Sequence, residues 1–204
     1  MRVFLDNNLW NYFADNEIDL LYYFPRESYE LLITTHGKYE ILQLVKEDKK
    51  YVKEFALKAL NSAVREDAIF GFYSDLFPKD HQRASGFGVG RFCDKSESVV
   101  RSELLSKYST FEKRKESQIL FKQEADIELA TRSKNSPVIT FDANKSGPLR
   151  YALDQGWQVI SLDVDRSKSI DSENFMQEIV TAVEVKKHNQ LGLMRHAAEC
   201  GMRR

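Results

Sequence analysis

Only two cysteines occur in the 204 residues, Cys93 and Cys200, far apart and outside any CxxC pattern. That argues against a thiolate zinc site and a disulfide framework, and leaves two free thiols suited to a reducing cytoplasm. No apolar run is long enough to cross a bilayer, so no membrane association is expected. The opening Met1-Arg2-Val3-Phe4-Leu5-Asp6 lacks a long apolar core followed by small residues. It reads as a first strand beginning at residue 2 and not as a secretory leader. Charge of one sign is lacking too: 30 Lys and Arg face 31 Asp and Glu, a net charge of −1. The total therefore gives nucleic-acid binding no support, yet it leaves room for a basic patch beside an acidic site. Internal repeats, low-complexity segments and an evident interdomain linker are also absent.

What is present is the composition of a globular protein, 42% apolar and 30% charged, in a chain long enough to bury a core. Short apolar runs at residues 2–5, 30–34, 137–141 and 157–162 read as buried strands. Asn8 suits the N-cap of a helix over 9–14. Residues 16–29 hold a second short helix or a packed loop, and Gly37 breaks the strand at 30–34. Helical spacing runs from 38 to about 65, with a break expected in the charged run around 47–50. Residues 96–134 and 172–187 are helical in pattern, the latter with Ser172 as a cap, and Gly156 closes a helix over 147–155. Residues 68–73 fit a strand or a buried loop, while Pro78, Gly86, Gly88 and Gly90 mark turns. Alternating elements with buried strands imply an α/β fold of three layers, a mostly parallel central sheet flanked by helices. One domain is expected over residues 1–187, with a helical insertion at about 46–120. A basic tail, 188–204, is left for contacts.

In open α/β sheets the ligand site lies at the carboxyl ends of the strands. Asp6 ends the first strand. Thr34, Thr35 and His36 end the second, with Glu40 expected in the first turn of the next helix. Asp142 ends the strand at 137–141, and Asp126 stands on the helix leading into it. Four gathered carboxylates repel one another. Hard divalent cations such as Mg²⁺ or Mn²⁺ offset that cost, and they polarise phosphates and acidify bound water. Each residue also has a plainer reading. Asp6 and Asp142 suit turns, Asn8 a cap, Glu40 a helix N-terminus, and Thr140 a strand. Asp126, beside Glu124 and Glu128, suits an exposed helix face. Lys145 and Arg150 follow Asp142 and either meet phosphates or lie solvated. His36 reads as structural. The glycine-rich Gly86–Gly90 run fails the dinucleotide fingerprint. Asp163-Val164-Asp165 comes too late in the chain for a phosphatase DxD, and Lys113-Arg114-Lys115 is a solvated helix face or an RNA contact.

Val3-Phe4-Leu5-Asp6-Asn7-Asn8 resembles the opening strand of PIN domains, an apolar run ending in Asp with Asn two positions later. Thr34-Thr35 followed by Glu40 is similar to their second motif. Glu124-Ala125-Asp126-Ile127-Glu128-Leu129-Ala130 resembles the third, and Pro137-Val138-Ile139-Thr140-Phe141-Asp142 the fourth, a strand closed by Thr-x-Asp. The resemblance covers residues 1–45 and about 120–162. It implies a PIN-like parallel α/β sandwich and divalent-metal cleavage of RNA or other nucleic acid. Asp6, Glu40, Asp126 and Asp142 would be the catalytic, metal-holding residues. Asn8, Thr140, Lys145 and Arg150 would position ligands and substrate. The expected activity is a Mg²⁺- or Mn²⁺-dependent endoribonuclease, in a family with many toxins of toxin–antitoxin pairs and other members that process RNA. Expected partners are RNA, with DNA second, an antitoxin or other inhibitory protein, and a second copy of the chain. Two other readings stay open: a non-catalytic PIN-like module that binds RNA or protein, and a phosphohydrolase of small molecules.

Overall fold

In a computed structural model, residues 1–72, 79, 82–108, 120–143 and 145–201 are described, the last stretch with side chains to 188. Five strands, β1 Arg2–Leu5, β2 Glu30–Thr34, β3 Val64–Asp67, β4 Val138–Thr140 and β5 Val159–Ser161, form a parallel sheet in the order β3-β2-β1-β4-β5. Successive side chains of a strand point to opposite faces. Val3, Leu5, Leu31, Ile33, Ile139 and Ile160 therefore enter one core, while Phe4, Leu32, Val138 and Val159 enter the other. The first core is closed by α1 Leu9–Asp15, α4 Lys50–Ser62 and α9 Ser172–Gly201. The second is closed by α5 Lys95–Tyr108, α6 Glu124–Arg132 and α7 Pro148–Asp154. A strand buried on both faces cannot alternate apolar with polar, which is why these runs are continuously apolar. The remaining helices are α2 Leu20–Tyr23, α3 Thr35–Leu42 and α8 Val164–Ser169, with a 3₁₀ turn at Glu47–Lys49 where the helical pattern was expected to break.

The segment read as a helical insertion is helical in α4 and α5, but it also supplies β3, the sheet edge beside β2. Val64-Arg65-Glu66-Asp67 offers no apolar run, since only Val64 and Asp67 are buried. Residues 69 and 70 make single bridges to Arg91 and Ser85 and no regular strand. Gly37 does not break β2. It lies inside α3, which Thr34 caps by accepting from the Gly37 N–H, so Glu40 falls in the second turn of that helix and not the first. A Cβ on Gly37 would meet Ile33 Cγ1 at 2.8 Å, so the close packing of α3 on β2 needs glycine here. Asp171, one residue before the expected Ser172, accepts from the Asn174 N–H at the start of α9. That helix continues through Gly192 to Gly201, where the sequence pattern suggested a separate tail. Asp163 is the N-cap of α8, which accounts for the Asp-Val-Asp run. Pro78 and the basic stretch 113–115 lie outside the described residues. No helix among the described residues is long and apolar enough to cross a membrane.

Glu124 and Glu128 are not on an exposed face. Glu128 is buried, and it belongs to an ion network that ties three elements together. Arg132, 4% exposed, reaches Asp67 at 2.7 Å, Glu97 at 3.0 Å and Glu128 at 3.3 Å. Arg91 bridges the same Asp67 and Glu97, and Arg101 holds Glu128. The network pins α5 and the loop before it to α6 and to the end of β3.

Candidate active site

The strand order reverses between β1 and β4: chain order runs outward to β3 on one side and to β5 on the other. Loops leaving β1 and β4 diverge there, and such switch points open the crevice in which α/β folds bind ligands. Asp6 leaves β1 at this crevice, Thr140 ends β4, and Asp142 follows two residues later. Thr140 Oγ1 donates to Asp6 Oδ2 at 2.6 Å and accepts from the Asp142 N–H at 2.9 Å.

Asn8 is expected as an N-cap, and it does precede α1, but its side chain makes no cap hydrogen bond. It turns into the crevice instead. Its Nδ2 donates to Asp6 Oδ2 at 2.7 Å, to Asp142 Oδ2 at 3.1 Å and to Thr140 Oγ1 at 3.1 Å. Its Oδ1 accepts from the Phe141 N–H. One amide thus ties together residues more than 130 positions apart in the chain.

Asn7 had no role assigned from the sequence. Its Nδ2 donates to Glu40 Oε2 at 2.7 Å and to the Gly37 carbonyl at 2.9 Å, while its Oδ1 accepts from Trp10 Nε1 at 3.0 Å. It fixes Glu40 against the end of β1. An Asn-Asn pair after a strand reads as a turn, so nothing in the sequence separates the two side chains. Asp126 is half-buried in the first turn of α6, and its negative field reaches both Asp6 and Lys145. Lys145 is exposed and pairs with Asp142 through Nζ at 2.5 Å. Arg150 is not drawn in: it pairs with Asp154 along α7 at 2.9 Å. His36 is buried beside the site, with Nε2 3.4 Å from Glu124 Oε1, in keeping with a structural role.

The electrostatics separate the two central acids. Burial pushes Asp6 up to about 7. The Thr140 hydrogen bond opposes the rise, while the negative fields of Asp126 and Glu40 add to it. Burial also works to raise Asp142, but the hydrogen bonds from Lys145 and Asn8 outweigh it and hold the carboxyl below its usual range. Lys145 is raised in turn, first by that hydrogen bond and then by the charge of Asp142. Thr140→Val keeps the shape of the side chain but leaves Asp6 Oδ2 and the Asp142 N–H each short of a partner. The expected loss is about 1–3 kcal/mol, read from urea unfolding at neutral pH.

The donor set suits a hard divalent ion. The polar atoms turned into the crevice are carboxylate, amide and hydroxyl; Asp6 accepts from Thr140, Asn8 and the Asn7 N–H, and Asp142 from Asn8 and Lys145. Among the described residues no three His, Cys, Asp or Glu side chains stand close enough together to form a metal cage. Magnesium does not require one, because it retains waters and is held through one or two carboxylates together with substrate phosphate.

No protein-family model matches the chain, and no curated protein matches it. Among solved structures, the crystal structure of VapBC2 from Rickettsia felis bound to a DNA fragment from their promoter is similar over 80% of this chain and 100% of that chain, at 13% identity and a TM-score of 0.44. At that level of similarity no residue role or activity transfers to this chain.

Proposed function

We propose that this chain is a PIN-type, Mg²⁺- or Mn²⁺-dependent nuclease that cuts RNA, with single-stranded DNA as the second substrate to test. The observation that carries the reading is the sharing of Thr140 and Asn8 by two carboxylates, Asp6 and Asp142, at the sheet's switch point. Burying Asp6 there costs stability unless positive charge arrives, since its carboxyl is pushed to about 7. Asp6 and Asp142 would hold the ion, with Glu40 and Asp126 as further oxygen donors. When bound, the ion supplies polarisation of the phosphate and a more acidic water.

The chain's own residues set the rest. Asn8 and Thr140 orient the two acids through fixed hydrogen bonds, so little reorganisation remains for the reaction. Asn7 holds Glu40 in place. Lys145, exposed at the rim, exchanges Asp142 for a substrate phosphate. An inhibitory protein, as in toxin–antitoxin pairs, and a second copy of the chain are the protein partners proposed.

The test is incubation of labelled single-stranded RNA and DNA with the pure protein, in Mn²⁺ and in EDTA. Cleavage of RNA that needs the metal is the expected result. A second reading, a non-catalytic PIN-like module, is favoured by the protein donors Asn8, Thr140 and Lys145 that already occupy oxygens of Asp6 and Asp142. Calorimetric titration with Mn²⁺ separates the two. Heat of binding that disappears in Asp142→Asn supports the nuclease, and folded protein that neither binds metal nor cuts supports the module.

A further inference from the structure

A groove of about 550 Å³ opens beside the acidic cluster and shares Asn8 and Glu40 with it. Its floor is apolar, formed by Trp10, Ile41, Leu44 and Val52. Its rim carries Lys46 and Lys49, and the Lys49 ammonium donates to Asn11 Oδ1 at 2.7 Å. Gln43, which follows α3, also lines it. The Gln43 Nε2 atom is buried and has no hydrogen-bond partner among the described residues. A buried amide donor left unpaired is costly, and it marks a place where an acceptor is expected.

We propose that this groove is a subsite for one nucleobase of the strand being cut, a role that rests on the nuclease reading above. The volume suits a base with its ribose, and an apolar cleft with a few placed polar groups is the usual form of such a site. The base lies against Leu44 and Val45, the lining apolar side chains that keep open surface. Gln43 is half-buried and turns its amide out to the base edge, where Nε2 gains the acceptor it lacks, and Lys46 and Lys49 meet the adjoining phosphate. A carboxamide offers a donor beside an acceptor, which matches the ring nitrogen and exocyclic amine of adenine. Adenine is therefore the base expected here. The shared Asn8 and Glu40 put the next phosphodiester at the acidic cluster.

Trp10 lines the groove, and Trp157 is the protein's other tryptophan. The Trp10 indole N–H therefore gives a resonance in ¹⁵N-labelled protein that Trp157→Phe assigns. Adenosine, cytidine, guanosine and uridine 5′-monophosphates are titrated in EDTA, so the readout does not depend on catalysis. The Trp10 signal is expected to shift saturably, most tightly with the adenosine nucleotide. Gln43→Leu is expected to weaken that nucleotide about tenfold and to erase the preference. Lys46→Ala with Lys49→Ala is expected to weaken all four alike. A Trp10 signal unmoved by every nucleotide, or a Gln43→Leu protein that titrates like the wild type, overturns the subsite. So does a shift produced only by an apolar peptide, which would make the groove a protein-docking surface. Cleavage with silent titration defeats this subsite alone. Titration without cleavage of either polymer defeats the nuclease reading alone.

Discussion

Asp6→Asn is expected to abolish metal-dependent cleavage by roughly a hundredfold or more and, in the same protein, to raise stability at pH 8 in the absence of divalent ions. The opposite signs follow from the placement of Asp6 among other acids. Its carboxyl rises from 3.8 to about 7, chiefly through burial. A raised carboxyl means that the folded state holds a proton the unfolded chain has released. Stability from this group therefore falls as pH rises from about 4 to about 7, and the full penalty is present above that window. The upper limit is about 4 kcal/mol. Asparagine carries no such charge and keeps the shape of the side chain. Thermal melts in EDTA are expected to favour Asp6→Asn by several degrees at pH 8, with the gap closing towards pH 4. Adding Mn²⁺ is expected to stabilise the wild type and not the variant, since only a folded site that binds the ion is stabilised by it. Equal pH dependence of the two proteins would sink the account of Asp6, whatever the cleavage assay shows.

Arg132→Met is expected to destabilise the fold by about 3–5 kcal/mol, although Arg132 lies outside the acidic crevice. Its guanidinium sits among Asp67, Glu97 and Glu128, all buried. Removing one partner of a buried ion cluster leaves the acids short of the positive charge that offset their desolvation, and water does not reach them to replace it, so the cost exceeds the net worth of the pairing. Arg91 and Arg101 stay bound to the same acids and limit the damage. The pH dependence is distinctive. Burial would raise Asp67 and Glu128, but their arginine partners, with His36 also acting on Glu128, hold both below the usual carboxylate range. Such groups stabilise the fold above about pH 4, and that stability is lost as pH falls through their lowered values. In Arg132→Met those acids take up protons more readily, so its deficit is expected to be largest at pH 7 and smaller at pH 4.5. Urea unfolding at the two pH values checks this. A loss below about 1 kcal/mol at pH 7 would show that Arg91 and Arg101 suffice.

Legibility in the sequence tracked how each residue is buried. β1, β2, β4 and β5 were readable because a strand covered on both faces must be apolar along its length, and Val3-Phe4-Leu5 or Leu31-Leu32-Ile33 allows little else. β3 was not, because its inner positions are Val64 and a charged Asp67 whose partners lie on other elements. Glu128 was misjudged for the same reason. A carboxylate on a helix looks solvated until Arg101 and Arg132 are seen beside it. Arg150 was readable as a phosphate contact or as a solvated residue, and in the fold it pairs with Asp154 along its own helix.

At the candidate site, the residue types and their positions at strand ends were already in the sequence. Asp6 and Asp142 follow apolar runs, and the strand-end rule of α/β sheets points to them without coordinates. What only the tertiary structure decided is which neighbours they share. Asn8 had two local choices, capping α1 or leaving it, and local geometry does not choose between them. The arrival of β4 beside β1 does, because it brings Thr140 and Asp142 within reach of the Asn8 amide. The same pairing, with α3 and α6 packed around it, sets the environment that raises Asp6. Such a shift is a property of burial and of the nearby charges of Glu40 and Asp126, none of which is adjacent to Asp6 in the chain. Sequence determines the groups and their local turns; long-range packing determines their field, because desolvation and Coulomb interactions depend on distance through space and not along the chain.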